Sequence, residues 1–221
     1  MALRHDVDGR LDAADRLAEL EHQRGIRATY FVLHTARYWS RPDLVERLQH
    51  LQDLGHEVGW HNDLVTLDLV AGVDPVEYLH AELERLRSAG IDIVGAAAHG
   101  SIWCHLLGFD NNAFFVDFHD AKRPAEPIRR AALADFGLEY EGYHLGEDVY
   151  YSDARFDERW RRWHPAFIDF AALRPARRAI ALVHPCHWDR SVAAKFARLP
   201  GRLAARVPEG RSRRRVFRAR R

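Results

Sequence analysis

Two carboxylates stand close to the start of the chain, at Asp6 and Asp8, with one apolar residue between them. Alternate side chains of a strand share a face, so both carboxylates point the same way if the strand continues through them. If the strand ends near Val7, they lie where strand gives way to loop, the edge at which α/β proteins bind ligands. There, one carboxylate could bind a cation while the other accepts a proton. An isolated Asp-x-Asp before Gly9 also fits a helix N-cap or a turn.

Histidines follow the later predicted strands in the same way. His61 follows the third predicted strand, His99 the fourth, and His184 and His187 the last. Imidazole and carboxylate groups are ligands of Zn²⁺, and catalytic zinc sites use about three protein ligands and an open position. With 14 histidines in the chain, one or two at strand ends would indicate little. The convergence of several strand ends on one edge makes a metal site about as plausible as a structural role.

The elements that must position these residues alternate between strand and helix. Apolar residues at helical spacing, with stop signals at glycine, predict helices over 11–24, from 43 to 54 and over 74–90. The last of these opens with a sequence that resembles a capping box, Asp-Pro-Val-Glu at residues 74–77. Runs of β-branched, aromatic and small apolar residues predict strands over 27–33, 56–60, 91–98 and 179–183. The alternation favours a parallel sheet wrapped by helices and closed, or nearly closed, into a barrel.

The middle of the chain is less regular. A strand over 149–152 is predicted, with a further strand over 114–118 and a short helix over 128–136. Residues 100–112 resemble a long loop over the edge of the sheet, and residues 190–199 a closing helix.

Length and composition indicate one α/β domain. The chain has 221 residues, of which 47% are hydrophobic and 29% charged, as in ordinary globular proteins. No run of about 18 apolar residues could span a membrane, and no signal peptide precedes the first strand. We therefore expect a cytoplasmic protein, although the short first strand means that the natural chain could begin further upstream. Cys104 and Cys186 form no CxxC pair, so a cysteine metal site is not expected.

Charge divides the chain at residue 201. Residues 202–221 contain nine Arg and one Glu, a net charge of +8, and since the whole chain carries +1, residues 1–201 carry −7. The basic segment has few aromatic residues that could stack on bases, so we expect no nucleic-acid partner. We expect residues 1–201 to form the barrel domain and residues 202–221 to be a solvated, disordered tail.

Five stretches carry a resemblance to the polysaccharide deacetylase (NodB-homology, carbohydrate esterase 4-like) family. Residues 4–8 (RHDVD), followed by 25–31 (GIRATYF), resemble its opening. Residues 54–61 (LGHEVGWH) resemble its second motif, where a His after the glycine binds metal, and 181–185 (ALVHP) resemble the late motif with a catalytic His. Residues 150–153 (YYSD) are similar to a divergent branch of the family. The similarity extends from about residue 3 to about residue 190.

The resemblance implies a distorted (β/α)7 barrel of the NodB-homology type and the hydrolysis of an N-acetyl amide on a sugar or polysaccharide-related substrate. It implies a divalent metal, with zinc as the first candidate, held by Asp8 and His61. Such a metal activates water and polarises the acetyl carbonyl. Asp6 becomes the general base and His184 the general acid.

Further residues are candidates for orienting ligands or contacting the sugar, although packing at the edge of the sheet is an equal expectation for them. They are Trp103, Asp153 and Trp188, with His5 and Phe109 beside them.

Two departures from the family pattern leave a ligand position open. The second His of the second motif is replaced by Val65, and residues 96–100 (AAAHG) have Ala in place of the Arg that supports the base. Asp63 and His99 could each supply the third ligand. We expect His99, because a ligand from a separate strand leaves the solvent side open for water and substrate. Asp63 is then expected to cap a helix or bond local N–H groups.

Three functions remain open from the sequence. The first is a metal-dependent deacetylase acting on carbon–nitrogen bonds other than peptide bonds. The second is a carbohydrate-binding barrel without catalysis, and the third is a metal-dependent barrel enzyme of another reaction class. A nicotinamide enzyme is disfavoured because no GxGxxG follows the first strand.

Overall fold

The strands lie in one all-parallel sheet that curls into a partial barrel, in a computed structural model that describes residues 2–146, 148–154 and 178–188. The strands are β1 Ala2–Val7, β2 Thr29–Leu33, β3 Glu57–Asn62, β4 Gly95–Ala98, β5 Tyr140–Glu141, β6 Val149–Ser152 and β7 Ala179–Val183. Their order across the sheet is β5-β4-β3-β2-β1-β7-β6. This architecture confirms the predicted distorted (β/α)7 barrel.

Helices connect the strands. They are α1 Leu11–His22, α2 Leu44–Asp53, α3 Leu64–Ala71, α4 Pro75–Ser88, α5 Ile102–Leu107 and α6 Pro185–Trp188. Short 3₁₀ turns lie at Arg37–Ser40, Asn111–Phe114 and Leu133–Phe136. The predicted cap of α4 is confirmed, since the Asp74 side chain accepts hydrogen bonds from the N–H groups of Val76 and Glu77. None of the helices in the described ranges has the length and apolar character needed to cross a bilayer.

Each strand sends alternate side chains to opposite sides of the sheet. Large apolar residues on one side, such as Tyr30 and Trp60, belong to the core cluster that the helices cover. The alternate residues of the same strands face the barrel interior. They include Asp6 of β1, Phe31 of β2 and His61 of β3. A period of two therefore separates the hydrophobic core from the polar site along the same strands.

Two glycines leave space for aromatic rings inside the barrel, on the same strands that carry the polar residues but further from their carboxyl ends. A Cβ atom on Gly59 of β3 would lie 2.5 Å from the ring of Phe31, and one on Gly95 of β4 would lie 2.2 Å from the ring of Tyr140. Any larger residue at these positions would displace the rings. The small residues on β3 and β4 therefore set how closely the barrel interior packs.

The middle of the chain differs from its predicted elements. Residues 114–118 do not form a strand, because Phe114 ends a 3₁₀ turn and, within the described part of the chain, the segment pairs only through a single bridge between Phe115 and Ala131. Only Leu133–Phe136 of the predicted helix over 128–136 is helical, as a 3₁₀ turn. The loop predicted over 100–112 contains α5, and the predicted strand over 91–98 begins only at Gly95.

Four of the helices and strands were not predicted: α3, α5, α6 and β5. The sequence of α3, LVTLDLVA, is apolar on most sides and so lacks a clear helical period. The predicted helix over 190–199 and the tail over 202–221 lie outside the described residues, so the predicted domain boundary at residue 201 stays a prediction.

Candidate functional site

Three side chains meet at the carboxyl edge of the sheet. Asp8 follows β1, His61 lies near the end of β3, and His99 follows β4. Asp8 Oδ1 lies 3.3 Å from His61 Nε2 and 3.3 Å from His99 Nδ1, and the two ring nitrogens are 3.3 Å apart. The three donor atoms thus form a nearly equilateral triangle, and the structure brings together the three residues predicted to bind a metal.

The spacing and surroundings of these atoms fit a cation. Ligand atoms around tetrahedral zinc, bound at about 2.0–2.1 Å, lie roughly 3.3 Å from one another. Asp8 Oδ1 is buried, and within the described ranges no group makes a hydrogen bond to it. His61 donates from Nδ1 to the carbonyl oxygen of Ala97 at 2.8 Å, which directs the lone pair of Nε2 toward Asp8.

The charges in the triangle reinforce one another. Burial raises the pKa of Asp8, but the nearby imidazoles of His61 and His99 outweigh burial and hold that pKa well below its usual value. Burial lowers the pKa of His99, and the Asp8 carboxylate more than compensates, so that the pKa of His99 is raised. An ionised carboxylate between two imidazoles is the charge arrangement that attracts a divalent cation.

Asp6 lies beside the triangle but has a different partner. Its two oxygens accept hydrogen bonds from Arg4, Nε to Oδ1 and Nη2 to Oδ2, each at 2.8 Å. Asp6 Oδ2 is 3.6 Å from His61 Nε2. Burial raises the pKa of Asp6, yet Arg4 and His61 lower it overall, so the carboxylate is ionised. The guanidinium of Arg4 therefore supports the residue predicted to be the base.

Arg4 is itself held by aromatic rings. Its guanidinium carbon lies 4.1 Å from the ring centroid of Tyr143 and 5.1 Å from that of Phe31. A Cβ atom on Gly142 would lie 3.0 Å from Arg4 Nη1, so glycine leaves the space that the guanidinium needs. The prediction from sequence missed Arg4, although its spacing of two residues from Asp6 on a strand was a usable signal.

His184 forms a second pair with Asp153. His184 Nδ1 lies 2.5 Å from Asp153 Oδ1, and the backbone N–H of His184 donates to Asp153 Oδ2 at 2.9 Å. His184 Nε2 is left facing Asp8, 3.7 Å from its Oδ2. Burial lowers the pKa of His184, but Asp153 and the nearby Asp6 raise it overall. His184 is therefore held as a proton donor with Nε2 toward the triangle.

Asp153 also joins His184 to Trp188 and His187. Asp153 Oδ2 also accepts hydrogen bonds from Trp188 Nε1 at 2.9 Å and His187 Nδ1 at 3.0 Å. Since both of its oxygens accept bonds from protein donors, Asp153 is fixed in a position that orients His184. Asp153, His184 and His187 also have the donor types of a metal site. Here the hydrogen bonds from the two histidines to Asp153 explain why the three side chains lie together.

The remaining candidates lie away from the triangle. Trp103 lies partly exposed on α5, outside the residues that line the two cavities beside the site. His5 points to the opposite side of β1, where its Nε2 lies 2.8 Å from Glu21 Oε1 of α1. Phe109 is buried in the core.

Asp63 is occupied elsewhere. Its Oδ2 accepts from the hydroxyl of Thr35 at 2.8 Å, and its Oδ1 accepts from Asn111 Nδ2 at 2.9 Å. Its side chain makes no hydrogen bond to the start of α3, so the expected helix cap is absent as well. Of the two candidates for the third ligand, the structure places His99 and not Asp63 in the triangle.

Two neighbouring cavities open at the site. One of about 420 Å³ is lined by the catalytic and metal-binding candidates together with Tyr143, Tyr150 and Ser152. The other, of about 440 Å³, extends along α5 and the loop that follows it. Both include His99, Gly100 and Tyr143 in their walls, so they adjoin beside His99.

Comparison with known proteins finds no matching family model and no matching curated protein. Among solved structures, a family 4 carbohydrate esterase from Bacillus anthracis is similar at 14% identity and a TM-score of 0.44, covering 88% of this chain and 72% of that chain. A mutant of the peptidoglycan deacetylase PdaC from Bacillus subtilis is similar at 16% identity and a TM-score of 0.45, covering 83% and 73%. A CE4 family pseudoenzyme from Bacillus anthracis is similar at 15% identity and a TM-score of 0.42, covering 83% and 54%.

These neighbours are of the kind that the sequence motifs resemble, namely carbohydrate esterases and deacetylases of the NodB-like type.

Proposed function

We propose that the chain is a metal-dependent hydrolase that removes an N-acetyl group from a sugar or polysaccharide-related substrate. The observation that carries the proposal is the triangle of donor atoms from Asp8, His61 and His99, with Asp6 on one side and His184 facing it. A cation site flanked by an ionised carboxylate and an imidazole whose pKa is raised suits the hydrolysis of an amide, which needs a base for water and an acid for the amine.

Asp8, His61 and His99 would hold the metal. Mixed oxygen and nitrogen donors at tetrahedral spacing favour zinc, and three protein ligands leave a position for water and substrate. A bound divalent metal supplies Lewis acidity that activates water and polarises the acetyl carbonyl.

Asp6 would act as the general base. It is ionised, and its pairing with Arg4 fixes the direction of both oxygens without removing their remaining lone pairs. In the reaction, it would accept a proton from the attacking water as the new bond between oxygen and the acetyl carbon forms.

His184 would act as the general acid. Asp153 accepts from Nδ1, so the proton available for transfer is on Nε2, on the side of the cavity. As the bond between carbon and nitrogen breaks, this proton would go to the leaving amine, and the products are acetate and the free amino sugar.

The test combines metal analysis with an assay of acetate. Elemental analysis of protein purified without a His-tag, and acetate release from oligomers of N-acetylglucosamine, are measured on the same preparation. We expect bound zinc and released acetate. Affinity for the sugar without turnover would instead indicate a binding protein, and turnover without acetate would indicate another reaction class.

A further inference from the structure

The backbone of His99 is fixed from outside its own strand. β4 ends at Ala98, so His99 is the first residue beyond the strand. Its N–H donates to the carbonyl oxygen of Asn62 at 2.8 Å. Its own carbonyl oxygen accepts from Asn111 Nδ2 at 2.8 Å, a side chain from the 3₁₀ turn that follows α5.

Few other groups could take over this contact. Among the described residues, the Cys104 thiol also approaches the carbonyl oxygen of His99, but at 3.7 Å. A thiol is a weak hydrogen-bond donor, whereas the amide of Asn111 is a strong one at good distance. The position of the His99 carbonyl therefore depends mainly on Asn111.

Asn111 is well placed to act as a rigid support. It is 1% exposed, and its Oδ1 accepts from the N–H groups of Val65 and Thr66 at the start of α3, at 3.1 and 3.2 Å. Its backbone carbonyl accepts from Asn62 Nδ2 at 2.9 Å. These bonds join the turn to the end of β3, the strand that carries His61.

The same side chain keeps Asp63 out of the triangle. Asn111 Nδ2 donates to Asp63 Oδ1 at 2.9 Å as well as to His99. The amide of Asn111 thus holds the backbone of His99 in place and also binds the carboxylate of Asp63.

We infer that Asn111 is a positioning residue for His99, and that it sets the distance of the His99 imidazole from Asp8 and His61. The inference rests on the metal centre proposed above, because the position of His99 matters for function only if His99 is a ligand. Residues that orient metal ligands typically change metal affinity by about 10- to 100-fold when they are removed.

The test measures zinc affinity of the folded, full-length protein by competition with a chelating dye. We expect Asn111→Ala to raise the zinc dissociation constant by about 10- to 100-fold. Asp74→Ala is the matched control, because it also removes a side-chain oxygen that accepts two N–H groups at the start of a helix. Asp74 also pairs with Arg129, which does not line the site. Asp74→Ala is expected to lower the melting temperature and to leave the zinc affinity unchanged.

Zinc affinity and melting temperature together show whether Asn111 positions His99 or only stabilises the fold. If Asn111→Ala lowers the melting temperature as Asp74→Ala does and binds zinc as tightly as the wild type, Asn111 only caps α3 and the inference is wrong. If Asn111→Ala does not fold, the same comparison is made with Asn111→Ser, which keeps an oxygen on the side chain. If His99→Ala binds zinc as tightly as the wild type, the proposed metal centre itself is wrong.

Discussion

Asp6 and Asp8 are two residues apart, but their partners give them different chemistry. Asp6 is ion-paired through both oxygens to Arg4, whereas Asp8 faces the ring nitrogens of His61 and His99. A carboxylate that is already neutralised by a guanidinium attracts a divalent cation less strongly than one that faces imidazoles. We therefore assign the base to Asp6 and the ligand to Asp8.

The substitution Asp6→Asn separates these roles. We expect turnover to fall by about 100-fold or more, the usual range for a lost general base, while bound metal stays nearly stoichiometric. Steady-state kinetics and elemental analysis on one preparation provide the check. Asp8→Asn serves as the control and should lose the metal, whereas loss of metal from Asp6→Asn would move Asp6 into the ligand set.

The choice between His99 and Asp63 is also testable with single substitutions. His99→Ala removes a corner of the triangle and is expected to lose both metal and activity. Asp63→Ala removes bonds to Thr35 and Asn111, and we expect it to keep most of the metal and to lose some stability. Bound zinc and melting temperature are measured for both variants, and the reverse pattern would exchange the two assignments.

At the scale of elements, the parallel strands determine where the polar residues meet. The residues of the site follow β1, β4, β6 and β7 or lie near the end of β3, and all of these strands point the same way. Below them, aromatic rings fill the barrel only because β3 and β4 carry glycine there. The strands must therefore keep their close spacing for the side chains at the edge to converge.

Gly59→Ala tests this packing. A Cβ atom at this position would lie 2.5 Å from the ring of Phe31, so the ring or the strand must move. We expect the free energy of unfolding to fall by about 1–3 kcal/mol, as for other overpacked cores, in denaturant titrations. Gly9→Ala, with no atom within 4 Å of the added methyl group, is the control and should change little. Equal effects of the two substitutions would contradict the packing argument.

At the scale of the whole molecule, acid is expected to destabilise the fold through a buried histidine. His34 stacks on Trp60 with ring centroids 4.6 Å apart, and its Nε2 accepts from the backbone N–H of Asp63. Burial, with the charges of His61 and His99, lowers the pKa of His34 to about 3. In the unfolded chain, a histidine titrates near pH ~6.5. The contribution of His34 is therefore fully present above that pH and is lost as the pH falls toward 3.

Denaturant titrations at pH 7 and pH 5 measure this loss. For the wild type, we expect His34 to account for up to about 2 kcal/mol of lost stability between these pH values. His34→Gln keeps polar groups at the position but does not titrate, so its stability should fall less over the same interval. An equal loss in both proteins would show that His34 is not responsible.

The basic tail is expected to be dispensable. Residues 211–221 contain seven Arg and lack the apolar period of a packed helix. Deleting them should leave activity and melting temperature unchanged, as measured on the full chain and the truncated chain in parallel. A large drop in either quantity would indicate that the tail docks on the acidic body.

The sequence by itself determined the architecture and the location of the site. Periodicity predicted the main helices and strands, including β7 at residues 179–183, because buried parallel strands are short, continuous apolar runs. It also placed Asp8, His61, His99 and His184 at one edge, because parallel strands bring their carboxyl ends together. Local pattern was sufficient for the parallel sheet and for the position of the site, whereas the distorted (β/α)7 barrel was what the family resemblance implied.

The tertiary structure alone decided which partners those residues have. Asp153 binds His184 from 31 residues away, and Asn111 reaches the carbonyl of His99 and the carboxylate of Asp63 from a turn with no regular pattern. Such contacts depend on the register of strands and the path of loops. Neither can be predicted from the spacing of residues along the chain. Hydrogen bonding decided them, since buried polar groups must find partners wherever the fold places them.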